Sequence, residues 1–66
     1  MNNVEHPNHY QSDKIEVIEI IDAFNLDFYE GNIIKYVLRH KKKNGIEDLK
    51  KAQFYLNRLI KLKENE

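Results

Sequence analysis

Three stretches of the chain place apolar side chains three and four residues apart, and short polar breaks separate them. In the first, Val17, Ile20, Ile21 and Phe24 share one side with Ile18 beside them, while Glu16, Glu19 and Asp22 fall opposite. Asp13 stands where a helix cap is needed and Glu16 follows three residues later, so the pattern predicts a helix from Lys14 to Phe24 opened by a capping box. Asn25-Leu26 is a short turn. Asp27 with Glu30 repeats the capping-box spacing, which predicts a second helix from Phe28 to His40. That helix is apolar on two flanks, Tyr29, Ile33, Tyr36 and Val37 on one and Ile34 and Leu38 on the other, with a polar strip of Asn32, Lys35 and Arg39 between them. A helix of this kind belongs in the middle of a domain, packed between neighbours.

Lys41, Lys42 and Lys43 complement the dipole at the end of the second helix, and Asn44-Gly45 is a turn signal. A third helix is expected from Ile46 or Glu47 to Lys63, with Leu49, Ala52, Leu56, Leu59 and Ile60 as a stripe close to a heptad seam. No segment alternates as a strand would, and no internal repeat is visible. Residues 1–12 read as an extended arm, because Pro7 removes a backbone donor and pushes His6 toward extended geometry. The expected fold is all-α: one domain over residues 1–66, with the arm at 1–12 and three helices within 13–63.

Length sharpens this picture. A 66-residue chain is near the limit of what one core stabilises without staples, so self-association into a homo-oligomer is expected. There is no Cys, hence no disulfide framework, no thiolate metal site and no thiol nucleophile. The apolar runs are too short to span a bilayer, no signal-peptide pattern opens the chain, and no membrane partner is expected. The formal net charge of zero averages two unlike halves: residues 1–30 hold seven acids and one base, and residues 31–66 hold ten bases and four acids. A basic half suggests an anionic partner, while the acidic half argues against a simple nucleic-acid coat.

Four features carry candidate chemistry. His6-Pro7-Asn8-His9-Tyr10 offers two imidazoles and a phenol in a segment free of helical constraint, suited to contacting a ligand or to packing on the bundle; as a zinc site it lacks Cys and a third ligand. Lys35 and Arg39, at i and i+4 with Asn32 one turn before and Lys42 about one turn after, make a row of donors suited to phosphate. The competing reading is a solvated basic stripe paired with acids of the first helix. Gly31 lies near this strip and costs helix stability there, which suggests close approach of a ligand or another backbone. Glu16, Glu19 and Asp22 could hold Mg²⁺, but a second acidic pair is missing apart from Glu47-Asp48, so a solvated face is the favoured reading. Phe54, among Lys50, Lys51, Arg58 and Lys61 on the outer face of the third helix, reads as an oligomer contact before a base-stacking platform. No P-loop, G-x-G-x-x-G or G-x-S-x-G is present, so any grip on phosphate must come from side chains and helix N-termini.

The order His6-Pro7-x-His9-Tyr10, Glu16-Val17-Ile18, Leu26-Asp27-Phe28-Tyr29-x-Gly31-Asn32-x-Ile34-Lys35-Tyr36-x-Leu38-Arg39 and Glu47-Asp48-Leu49-x-Lys51-Ala52-x-x-Tyr55-Leu56-x-Arg58-Leu59 resembles the SaV-like bacteriophage family. That is a small phage domain of unknown function, also found in phage nucleotide kinases that lack a P-loop. The resemblance runs from His6 to about Ile60. It implies a nucleotide or phosphate site built from His6, Pro7, His9, Tyr10, Asn32, Lys35, Tyr36 and Arg39. The expected partner is a nucleotide or cyclic nucleotide, bound without a cofactor or metal and without turnover, in the host cytoplasm. By analogy, an oligomeric sponge for a nucleotide signal of host antiphage defence is one concrete form. A nucleotide-processing enzyme and a module binding a host protein are the alternatives, and nucleic acid is a less favoured partner.

Overall fold

The computed structural model describes residues 15–66, which form three helices: α1 (Val17–Phe24), α2 (Phe28–Arg39) and α3 (Ile46–Glu64). No strand occurs among the described residues, so the all-α expectation holds. The expected arm at 1–12, with Asp13 and Lys14 after it, lies outside them.

The first helix starts later than its pattern suggests. Glu16 itself is the cap residue, in extended geometry (φ −109°, ψ 155°), and its backbone N–H donates to the Glu19 carboxylate at 2.8 Å. The acid three residues into the helix is therefore Glu19, and the capping box sits one turn beyond the Asp13/Glu16 position. At the other end Asn25 adopts the left-handed conformation (φ 53°) that Asn tolerates better than most residues. The Leu26 N–H then donates to the Ile21 carbonyl at 2.9 Å and ends the helix.

The second helix begins where expected. Asp27 accepts from the Glu30 N–H at 2.8 Å, and Glu30 accepts from the Asp27 N–H at 3.0 Å. Gly45, at φ +54°, supplies the backbone that the turn into α3 requires, and its N–H donates to the His40 carbonyl.

Helix α2 is central: it packs along α3 and touches α1, whereas the backbones of α1 and α3 do not approach each other. Gly31 lies against α1 and is buried. A Cβ there would stand 3.2 Å from the Ile21 Cδ1. The absent side chain thus serves helix packing, and the neighbour that comes close is Ile21.

Helix α3 is rotated from the expected orientation. Its inward stripe is Asp48, Ala52, Tyr55 and Leu59, with Asp48 and Ala52 buried. Leu49, Leu56 and Ile60, expected in the same stripe, lie on its flank, 37–46 % exposed. Phe24, expected on the apolar side of α1, is 74 % exposed. Among apolar side chains of the described residues only Val17 and Ala52 are buried. The helices accordingly form an open arrangement: α2 and α3 make a hairpin, and α1 lies across one side of α2.

Phe28 and Tyr29, at the start of α2, pack against Tyr55. Because α3 is 19 residues long against 12 in α2, its last turns run past the end of its partner helix. Leu56, Leu59 and Ile60 line a shallow groove there with Lys63 and Glu64.

Candidate functional site

The polar strip of α2 lands between two features, an apolar groove on the α1 side and an aromatic cluster on the α3 side. Ile21, Leu26, Asp27, Phe28, Gly31, Asn32 and Lys35 line the groove, which has a volume of about 360 Å³ and opens broadly to solvent. Its apolar floor comes from the end of α1 and the turn after it, and its polar groups come from α2. Phe28 is 69 % exposed at its rim. Asp27 is occupied with capping, so the groove's cationic end is the one at Lys35.

The aromatic cluster is centred on Tyr55. Tyr36 stacks nearly parallel to it, with ring centroids 6.1 Å apart and planes 12° from parallel. Phe28 and Phe54 meet Tyr55 edge-on at 5.8 and 5.3 Å, and Tyr29 tilts against it at 6.4 Å. Such offset and edge-on geometries are the ones that the ring quadrupoles favour. Three cations surround Tyr36: the Lys35 Nζ at 4.4 Å from the ring centroid, the Arg39 Cζ at 4.8 Å and the Lys51 Nζ at 5.5 Å. All three lie within cation–π range.

The donors of the strip differ in what else they do. The Asn32 side-chain amide donates to the Phe28 carbonyl one turn back at 2.8 Å, which leaves one of its two N–H donors for other work. The Arg39 guanidinium grips Asp48 with two bonds, Nε to Oδ2 and Nη2 to Oδ1, both 3.2 Å. Asp48 has no exposed side-chain surface and also accepts from the Asn44 N–H at 3.2 Å. The hydrogen bonds from Arg39 hold its carboxyl below the ordinary value of 3.8. Burial opposes that shift, and the Asn44 N–H reinforces it. Within the strip Arg39 is thus paired, with Asp48 at the start of α3, and is a structural cation first. Lys35 and Lys51 make no ion pair with any described carboxylate.

The sites expected from sequence therefore divide. Lys35, Tyr36 and Arg39 come together around one ring, and Asn32 lies in the adjoining groove. His6, Pro7, His9 and Tyr10 lie outside the described residues. The acidic row does not gather: the Glu19 carboxylate accepts from its own helix start, Asp48 is held by Arg39, and among the described residues no three His, Asp or Glu side chains are placed to share a metal ion. Sequence reasoning missed Lys51, Tyr55 and Asp48 as members of this neighbourhood. The signal was present in the spacing Asp48, Ala52, Tyr55, Leu59, which is itself helical and competes with the leucine stripe.

None of the described helices is long and apolar enough to cross a membrane. Residues 4–57 match the family described as protein of unknown function (DUF3310). The gene 1.7 protein of Enterobacteria phage T3 is 46 % identical over 63 residues, an alignment covering 79 % of this chain and 38 % of that protein, so the chain spans about two fifths of its relative's length. No solved structure matches significantly. With most of its length matched, from the arm through the middle of α3, the chain belongs to the DUF3310 family and is a bacteriophage protein of unknown function.

Proposed function

We propose that this chain binds a nucleotide in the host cytoplasm and holds it without turnover, as a sponge for a nucleotide signal of host defence would. The observation that carries the reading is the continuity of the Phe28–Lys35 groove with the cation-ringed Tyr36. An apolar groove edged by an exposed aromatic suits a base, and an ammonium with no described carboxylate as ion-pair partner at its end suits a phosphate. The resemblance to the SaV-like phage family supports the same reading. Binding without turnover is favoured because the described carboxylates Glu19, Asp27 and Asp48 are occupied with capping or with Arg39 rather than set to hold a metal against a phosphate.

Calorimetric titration with a panel of linear and cyclic nucleotides tests this, followed by chromatography of the ligand released on heating. The expected result is saturable binding that Lys35→Ala weakens, with the ligand recovered intact. A chemically altered ligand would favour a nucleotide-processing enzyme. No binding across the panel, with Lys35→Ala behaving as wild type, would favour a host-protein-binding module.

Self-association belongs to the same proposal, and the partner is a second copy of the chain. Twelve large apolar residues among those described are 37–74 % exposed, and part of that surface is aligned on one helix. Leu49, Leu56 and Ile60 repeat at seven and four residues along one flank of α3. The acidic α1 and basic α3 supply the charge complementarity that brings two copies together. A groove as open as the one at Phe28 also encloses a nucleotide better with a second subunit beside it.

A further inference from the structure

Lys51 was expected on an outer face of α3, yet its ammonium lies over the ring of Tyr36, a residue of α2. Lys35 reaches the same ring from α2. With 4.4 and 5.5 Å to one centroid, the two ammonium groups are at most about 10 Å apart, roughly one Debye length at physiological salt. Arg39 stands over the same ring, but its charge is met by Asp48. Neither lysine has a described carboxylate at ion-pair distance. Two like charges with no described counter-charge, held close by a packed aromatic, repel each other, and an anion placed between them relieves that repulsion.

Resting on the nucleotide reading above, we infer that Lys35 and Lys51 form a two-helix clamp for a ligand with two or more linked phosphoryl groups, a nucleoside di- or triphosphate in preference to a monophosphate. One ammonium suffices for a monophosphate. Two ammoniums from separate helices match a chain of phosphates that runs from the groove edge at Lys35 across Tyr36 to Lys51. The Tyr36–Tyr55 stack fixes the distance between the helices, and with it the length of phosphate chain that fits. The exposed Phe28 is left for the base, on the groove side of Lys35.

The test is calorimetry of the wild-type chain with ATP and AMP, and with GTP and GMP in parallel, at two salt concentrations. Triphosphates are expected to bind about tenfold or more tighter than monophosphates, since each added charge-assisted contact is among the stronger polar interactions. Lys51→Ala should cut triphosphate affinity about tenfold, leave monophosphate affinity nearly unchanged, and flatten the salt dependence. Lys51→Arg should retain the triphosphate preference, and Lys61→Ala should match wild type. Circular dichroism of each variant separates lost binding from lost fold. Lys35→Ala losing binding while Lys51→Ala does not would overturn the clamp and leave the nucleotide reading standing. Equal affinity of wild type for tri- and monophosphates would overturn it as well. Absence of binding by every nucleotide tested would remove both.

Discussion

Gly31 gives the sharpest test of how α1 is held. It is an interior position of α2, where Ala is favoured over Gly by about 0.8–1.0 kcal/mol. Against that gain, a Cβ would sit 3.2 Å from the Ile21 Cδ1 and 3.5 Å from its Cγ1. The first distance is a few tenths of an ångström shorter than a comfortable carbon–carbon contact. The atom in the way is the tip of a flexible side chain that is only half-buried, so it yields at small cost. Gly31→Ala should therefore stabilise the chain by about 0.3–0.8 kcal/mol, a rise of a few degrees in the thermal midpoint for a domain this small. Gly31→Leu pushes a whole branched side chain into Ile21 and should destabilise by about 1–3 kcal/mol. Combining it with Ile21→Ala should recover part of that loss, because the two changes share one space. Far-UV circular dichroism melts at a fixed protein concentration read the wild type and all three variants. A loss above about 1 kcal/mol for Gly31→Ala, or no loss for Gly31→Leu, would refute the α1–α2 packing described above.

Further outcomes follow from the remaining contacts. Arg39→Ala leaves a buried carboxylate without its guanidinium and should lower the thermal midpoint more than Lys61→Ala does; binding measured on that variant confounds site with fold, so Lys35→Ala is the cleaner probe. The Asp48 carboxyl is held below its ordinary 3.8, so the unfolded chain binds more protons between the two values. That part of the stability is fully present above 3.8 and falls away as pH drops through the lowered value, and acid titration of Asp48→Asn should lack it. Leu56→Lys places a charge on the exposed flank of α3 and should shift sedimentation toward smaller species without reducing helix content, whereas unchanged sedimentation would argue against that flank as the contact between copies. Tyr36→Phe should preserve nucleotide affinity because the ring remains, and Tyr36→Leu should lower it several-fold by removing the surface that positions both lysines.

Much of the fold was legible in the sequence because it rests on local chemistry. The Asp27/Glu30 capping box and the Asn44-Gly45 turn involve residues within a few positions of each other, and both formed as read. The start of α1 is not fixed by spacing, because two capping boxes compete in overlapping positions, Asp13 with Glu16 and Glu16 with Glu19. The rotation of α3 is hidden in the sequence for a different reason. Leucine weight outvoted the inward stripe, whose first member is a charged Asp48. A carboxylate is placed on a buried face only if a partner is known, and Arg39 lies on another helix. Gly31 was recognised as a site of close approach, but which group approaches it depends on the α1–α2 crossing. Lys35, Tyr36 and Arg39 were legible as a group because they are neighbours on one helix; Lys51 and Tyr55 joined them only through the packing of α3 on α2.

On the proposed reading, the chain holds a small nucleotide without consuming it. Native mass spectrometry of wild-type protein isolated from phage-infected cells tests it most directly. The expected result is an assembly of several copies carrying a bound mass that matches a nucleotide, released unchanged when the protein is denatured. A bare monomer with no adduct, from cells in which nucleotide signals are abundant, would contradict it.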